Sequence, residues 1–218
     1  MQNEPMVQRI AVLTGDLVDS RKASDPKRLF EVLDDALEAI TDRYGGQGER
    51  YRGDGFQIAL PDPTTAMHAA VLLRAALIRH SEEDQRWDAR IAVAVGKDRW
   101  QPEQRVTEAS GEVFVRSGQT LDAMSEGASH LCLTLAEESE SGCLALLTRF
   151  VDELIDGWSR YAAEAVYLSL WHDESQQALA KRLGISQPGV HKRLRAARWT
   201  LLDDYLRYLS QRFKDDSR

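Results

Sequence analysis

Apolar residues recur along the first 135 positions in two alternating rhythms. Arg9 to Thr14, RIAVLT, is a β-rich apolar run that breaks at Gly15-Asp16. From Pro26 to Tyr44, the residues Leu29, Val32, Leu33, Ala36, Leu37 and Ile40 fall on one helical stripe. Arg50 to Leu60, RYRGDGFQIAL, predicts a hairpin with Gly-Asp-Gly at its tip. Helical spacing returns from Thr64 through Leu72, Leu73, Ala76 and Leu77, and ARIAVAV (Ala89 to Val95) reads as a central strand. A third helix is predicted over Glu108 to Met124 and a last strand over His130 to Leu135. The order β-α-β-β-α-β-α-β predicts an α+β domain, a ferredoxin-like sheet with antiparallel pairs and packed helices.

Beyond residue 136 the period is helical only. Leu144, Leu147, Val151, Leu154 and Ile155 share one face, and Ala162 to Trp171 form a largely apolar helix. The segment SQQALAKRLGISQPGVHKRLRAARW, Ser175 to Trp199, reads as two short helices joined by a tight turn. Asp173-Glu174-Ser175 caps the first, with Ala178, Leu179 and Leu183 as its buried stripe and Ala180 small enough for a close helix crossing. Gly184 stops it, in the left-handed backbone that glycine adopts cheaply. Ile185 plugs the turn, Ser186 caps the second helix, and Pro188 sits in its first turn. Val190 and Leu194 turn inward, leaving Gln187, Gly189, His191, Lys192 and Arg195 outside. This is the pattern of an all-α helix-turn-helix domain whose recognition helix starts near Gln187. Leu201, Leu202, Tyr205, Leu206, Tyr208, Leu209 and Phe213 continue as a helix too apolar to be wholly exposed. That helix either folds back on the N-terminal domain or pairs with its copy in a homodimer. The expected layout is an N-terminal domain over 1–136, a connection over 137–158 with a polar EESESG stretch, and the helix-turn-helix domain over 159–218.

Charge sharpens this picture. The 218-residue chain carries a formal net charge of −7, which argues against a general nucleic-acid coat. From Lys181 through Thr200, however, six residues are basic (Lys181, Arg182, Lys192, Arg193, Arg195, Arg198) and none is acidic. One basic face on an acidic body is the expected footprint of a module that binds double-stranded DNA. Gln187, His191, Lys192 and Arg195 are the candidates for base edges; Lys181, Arg182, Ser186, Gly189, Arg193 and Arg198 complete the interface, mostly toward phosphates or the support surface. Two cysteines, Cys132 and Cys143, lack metal-ligand spacing and read as buried free thiols. With no apolar run of membrane-spanning length, the expectation is a soluble cytoplasmic protein with no membrane partner.

Two acidic residues stand out by position. Asp16 ends the first strand and Asp54 sits at the hairpin tip, and in such a sheet those two places can be neighbours. Converging carboxylates repel unless a cation lies between them, and hard oxygen ligands suit Mg²⁺ carrying a nucleotide phosphate. Equally, Asp54 is an ordinary turn residue and Asp16 an ordinary cap.

TGDLVDS followed by RYRGDGFQIAL resembles the class III nucleotidyl cyclases, and more distantly the diguanylate-cyclase and polymerase palm domains. The resemblance implies a cyclase-like fold over residues 8–135 and assigns Asp16 and Asp54 as metal ligands for Mg²⁺ with a purine nucleotide. Gly15, the Leu17 carbonyl, Arg50, Arg52, Gly53 and Arg116 would complete the nucleotide site. The chain departs from that family where a base-reading lysine is expected (Arg50) and where an asparagine and an arginine are expected on the third helix (Val115 and Gln119). Without a fixed cation beside the leaving pyrophosphate, much of the rate would vanish. The C-terminal helices resemble sigma-region-4 and response-regulator helix-turn-helix domains. The whole chain, from its GD and RGDGFQ motifs to LGISQ and KRLRAARW, resembles a family of small bacterial proteins described as SatD-like, which implies the domain pairing. Together these imply a sequence-specific DNA-binding transcriptional regulator with a degenerate cyclase-like sensor or dimerisation domain. The alternatives are an active atypical nucleotidyl cyclase or nucleotidyltransferase carrying the helix-turn-helix, and a dimerising interaction protein with no ligand.

Overall fold

The first strand runs through the middle of the molecule. In the computed structural model, which describes residues 6–51, 53–124, 129–136, 142–172 and 174–215, β1 spans Gln8–Leu17. It is followed by α1 (Pro26–Tyr44), β2 (Gln47–Tyr51), β3 (Gly55–Leu60), α2 (Ala66–Arg79), β4 (Ala89–Asp98), α3 (Glu112–Met124) and β5 (Leu131–Leu135). Five helices complete the described chain: α4 (Gly142–Asp156), α5 (Arg160–Trp171), α6 (Gln176–Leu183), α7 (Gln187–Ala196) and α8 (Trp199–Asp215). The sheet order is β2-β3-β1-β4-β5, with β1 antiparallel to both neighbours and β4 parallel to β5.

A central strand is covered on both faces, so β1 reads as a continuous apolar run rather than an alternation. Its successive side chains serve opposite layers. Ala11 and Leu13 join α1 and α2 in one core, while Ile10 and Val12 meet Val113 and Phe114 of α3 in the other. Two helix starts differ from the sequence pattern. A short 3-10 turn at Pro63–Thr65, held by the Asp62 carboxylate accepting from the Thr64 amide at 2.9 Å, precedes α2. The third helix begins at Glu112, after a separate 3-10 turn at Val106–Glu108.

α2 is buried all round, which a helix in a protein tolerates only when other layers wrap it. The wrapping comes from the C-terminal helices. Val151 and Ile155 of α4, Ala162, Ala163 and Val166 of α5, and Leu202, Leu206, Leu209 and Phe213 of α8 share one apolar cluster with α1 and α2. α8 therefore folds back on the sheet side of the chain. Tyr205 and Thr148 share a hydroxyl hydrogen bond of 2.7 Å, and the Ser210 hydroxyl donates to the Thr64 carbonyl at 2.7 Å. Arg43 of α1 donates to the carbonyls of Leu170 and Trp171, satisfying the C-terminal end of α5. Among the cysteines, Cys132 is half-buried, and Cys143 is exposed on α4 rather than buried. No helix among the described residues is long and apolar enough to cross a membrane. The polar stretch at 137–141 and Asp173 lie outside the described residues.

Candidate nucleic-acid interface and sheet-end carboxylates

The α6–turn–α7 unit is held by local chemistry. The Ser175 hydroxyl accepts from the Ala178 amide, and Gly184 ends α6 at φ +64. The Ser186 hydroxyl accepts from the Gly189 amide at 3.2 Å, with Pro188 in the first turn of α7. Leu179 and Ala180 of α6, Val190 and Leu194 of α7 and Ala165 of α5 form a small core of their own. Ala178 and Leu183 are only half-buried at its rim.

That packing leaves Ser186, Gln187, His191, Lys192 and Arg195 exposed, together with Lys181, Arg182 and Arg198. Gly189 is half-buried against the Ser186 cap and presents less surface than its exposed neighbours. Arg182 is tied to Glu174, and Arg193 turns back onto Glu164 at 2.6 Å and over the Tyr161 ring. Lys181, Lys192, Arg195 and Arg198 pair with no acidic group among the described residues. Arg198 occupies the turn between α7 and α8 at φ +56, a left-handed conformation unusual for a side chain of its size.

At the end of the sheet, register brings the two aspartates together. Asp16 lies across from Gly55 of β3 and Arg90 of β4, and the Leu17 amide donates to the Asp54 carbonyl at 3.2 Å. Gly15 is required by packing, because a Cβ there would sit 2.4 Å from the Phe56 ring and 2.5 Å from the Arg90 carbonyl. Gly53 makes the hairpin turn at φ +85. So Gly15, Asp16, Leu17, Gly53 and Asp54 converge, as the sequence pattern suggested.

Asp16 is already paired with a cationic side chain, and Asp54 lies near enough to act on its charge. Arg90 donates through Nε and Nη2 to the two oxygens of Asp16 at 2.9 and 2.6 Å, while Asp54 Oδ2 accepts from the Ser20 hydroxyl at 2.6 Å. The hydrogen bonds to Asp16 and the nearby Asp54 charge hold the Arg90 pKa above its usual value. A divalent metal needs about six oxygen ligands; here both Asp16 oxygens are spent on a guanidinium and Asp54 on a hydroxyl. The donor set as placed does not fit Mg²⁺. Of the expected phosphate ligands, Arg50 reaches the hairpin tip, donating to the Gly53 carbonyl at 3.3 Å, but its charge is already paired. Arg50 pairs with Asp34 at 2.8 and 2.9 Å and packs over Phe30, and Arg116 pairs with Glu112 one turn away. Arg52 lies outside the described residues.

A second charged cluster escaped the sequence reading. Arg74 is fully buried in α2 and donates to Asp88 at 2.8 Å, Asp152 at 2.7 Å and Asp156 at 2.6 Å. Arg86 reaches Asp88 and donates to the carbonyls of Ile155 and Trp158, at the end of α4. The His130 amide donates to Asp152, and its ring Nδ1 lies 3.0 Å from Asp156. Burial opposes the Arg74 charge, but the three carboxylates outweigh it and hold its pKa above the usual range. Burial likewise opposes the Asp156 charge, yet hydrogen bonds from His130 and Arg74 bring it down to about 2. The hydrogen bond to Asp156 raises the pKa of His130. His130, Asp152 and Asp156 lie close enough to group around an ion, but the Arg74 guanidinium already donates to both carboxylates. The cluster is an ion-pair staple joining α2, β4, β5 and α4. Its one sequence signal was the lone charge inside VLLRAAL.

No protein-family model matches this sequence, and no curated protein matches it. Among solved structures, the chain is similar to the active GGEEF domain of a diguanylate cyclase from Vibrio cholerae, at 15% identity and a TM-score of 0.45 over 61% of this chain and 85% of that one. It is similar to a bacterial light-regulated adenylyl cyclase at 14% identity and a TM-score of 0.47, over 60% and 77% of the two chains. An adenylate/guanylate cyclase/hydrolase from Silicibacter pomeroyi gives 18% identity and a TM-score of 0.45, over 59% and 76%. Likenesses this loose transfer no residue role to this chain.

Proposed function

We propose that this protein is a sequence-specific duplex-DNA-binding regulator of transcription whose α7 lies in the major groove. What carries the reading is the outer face of α7 and its flanks. It is exposed and basic on a chain whose net charge is −7, and of its cations Lys181, Lys192, Arg195 and Arg198 have no acidic partner among the described residues, while Arg182 pairs with Glu174. Gln187, His191, Lys192 and Arg195 would approach base edges, and Lys181, Arg182, Ser186 and Arg198 the backbone. Arg193, engaged with Glu164, would set the pitch of α7 instead of meeting phosphate.

Selection of bound sequences from random duplexes tests the idea, followed by fluorescence anisotropy on the winner. Lys192→Ala with Arg195→Ala should weaken binding at least about a hundredfold at fixed salt, with the circular-dichroism spectrum unchanged. No enrichment in the selection, or undiminished binding by the double variant, removes the proposal.

A second reading is a nucleotidyl cyclase or nucleotidyltransferase taking Mg²⁺ and a purine nucleotide at the sheet end. The convergence of Asp16 and Asp54 favours it, and the Arg90 guanidinium paired with Asp16 opposes it. Incubation with nucleoside triphosphates and Mn²⁺, with the products resolved, separates the two readings.

A further inference from the structure

α4 has two apolar faces and only one is used. Leu144, Thr148, Val151, Asp152 and Ile155 point into the molecule. At 100° per residue, Cys143, Leu146, Leu147, Phe150 and Leu154 fall on a second arc about 100° wide. Along that arc Leu146 is 54% exposed, Leu147 37% and Phe150 63%, Cys143 is exposed and Leu154 half-buried. No charge interrupts it. Arg149 and Glu153 lie along one edge, both exposed, and neither forms an ion pair among the described residues. α8 has spent Leu202, Tyr205, Leu206, Leu209 and Phe213 on the core and leaves only the separated Leu201 and Tyr208 exposed among its described large apolar residues.

We infer that this stripe is the contact between two copies of the chain, with α4 packed antiparallel on its symmetry mate about a two-fold axis near Val151. Reversing the helix direction around that point brings Arg149 of each copy level with Glu153 of the other, giving two ion pairs from one pair of residues. The same register layers Leu147 on Leu154 of the second copy at both ends, with the two Phe150 rings meeting between them. Such a contact is isologous, as a two-fold requires. A parallel pairing would instead leave Arg149 and its copy on opposite sides of the seam, without that exchange, and stack the two Cys143 thiols. An apolar arc of this kind, left open to water, is otherwise a liability.

The inference stands apart from the DNA reading, because the mass of the free protein decides it. Sedimentation velocity of the full chain at micromolar concentration should give twice 24.6 kDa. Phe150→Glu should give the monomer with unaltered circular dichroism, since the side chain is already exposed, and Leu147→Lys should do the same. Arg149→Glu should weaken the dimer about tenfold, and adding Glu153→Arg should restore it. The two Cys143 residues would sit sixteen helical steps, about 24 Å, apart, so mild oxidation should yield no disulfide-linked pair. A monomeric wild type, a dimer that survives Phe150→Glu, a charge swap without rescue, or a Cys143-linked dimer overturns the proposal.

Discussion

Asp16 and Asp54 show how far single residues can be placed from sequence. A strand end and a Gly-Asp-Gly hairpin sufficed to make them neighbours, because both positions are fixed by local pattern. Arg90 was invisible, since it meets Asp16 only through the antiparallel register of β1 with β4, 74 residues away. That arginine makes a direct prediction. Removing it leaves Asp16 unpaired near the Asp54 charge, so Arg90→Ala should lose about 1–2 kcal/mol of stability for a partly exposed pair. Millimolar Mn²⁺ should then raise the melting temperature of the variant by mass action and leave the wild type unmoved. Thermal melts with and without the ion decide it; a wild type that responds to Mn²⁺ overturns the assignment of Arg90 as the resident cation. Arg198 offers a different handle. A non-glycine residue in the left-handed region costs about 1 kcal/mol, so Arg198→Gly should be neutral or stabilising by up to that amount. If its charge meets a phosphate, the same change should weaken duplex binding and reduce the log–log salt slope by about one. Undiminished affinity in the variant removes Arg198 from the interface.

At the level of elements, the caps were the clearest text. Ser175, Gly184 and Ser186 each do in the structure what their chemistry suggests, because a cap is settled within four residues. Faces were harder. The pattern at Leu144, Leu147, Val151, Leu154 and Ile155 reads as one stripe, but it merges two. Leu144, Val151 and Ile155 are buried, whereas Leu147 is exposed and Leu154 half-buried. Periodicity gives the amplitude of a helix's apolar side and not its width when both arcs adjoin. For α8 the same pattern was compatible with a copy or with the chain itself, and only the partners of Tyr205 and Ser210 decide between them. α7 differs again: its polar face was evident, but the retreat of Arg193 to Glu164 depends on α5, which sequence spacing does not orient.

Across the whole molecule, the ion-pair staple around Arg74 ties the sheet to the helices that follow it, and it should be felt in the pH dependence of stability. Asp156 titrates near 2 when folded and near 3.8 when exposed, so its contribution is complete above pH 3.8 and fades as pH falls toward 2. Discounted for its partial exposure, the effect is about 1–2 kcal/mol. His130 has the opposite sign. Its raised pKa stabilises the fold below its ordinary value of 6.5, and that share is lost as pH climbs through the folded value. Urea unfolding across pH should therefore show an acid limb that Asp156→Asn flattens and an alkaline limb that His130→Gln flattens. Limbs unchanged in both variants would rule out the staple as their origin. Beyond the lone Arg74 inside VLLRAAL, the sequence gives no sign of this network, because its members come from α2, the approaches to β4 and β5, and α4, and no local pattern joins them.

α2 sits at the centre of that arrangement, apolar but for Arg74 along its buried side chains, and clad by segments that precede and follow it. A fragment stopping after β5 would leave half of that cylinder wet, and a fragment starting at α4 would have nothing to lean on. The helices α4, α5 and α8 thus share one apolar core with α2 and the sheet, while α6 and α7 add a small core of their own. Among the described residues, the strands and the C-terminal helices are therefore coupled through shared packing around α2.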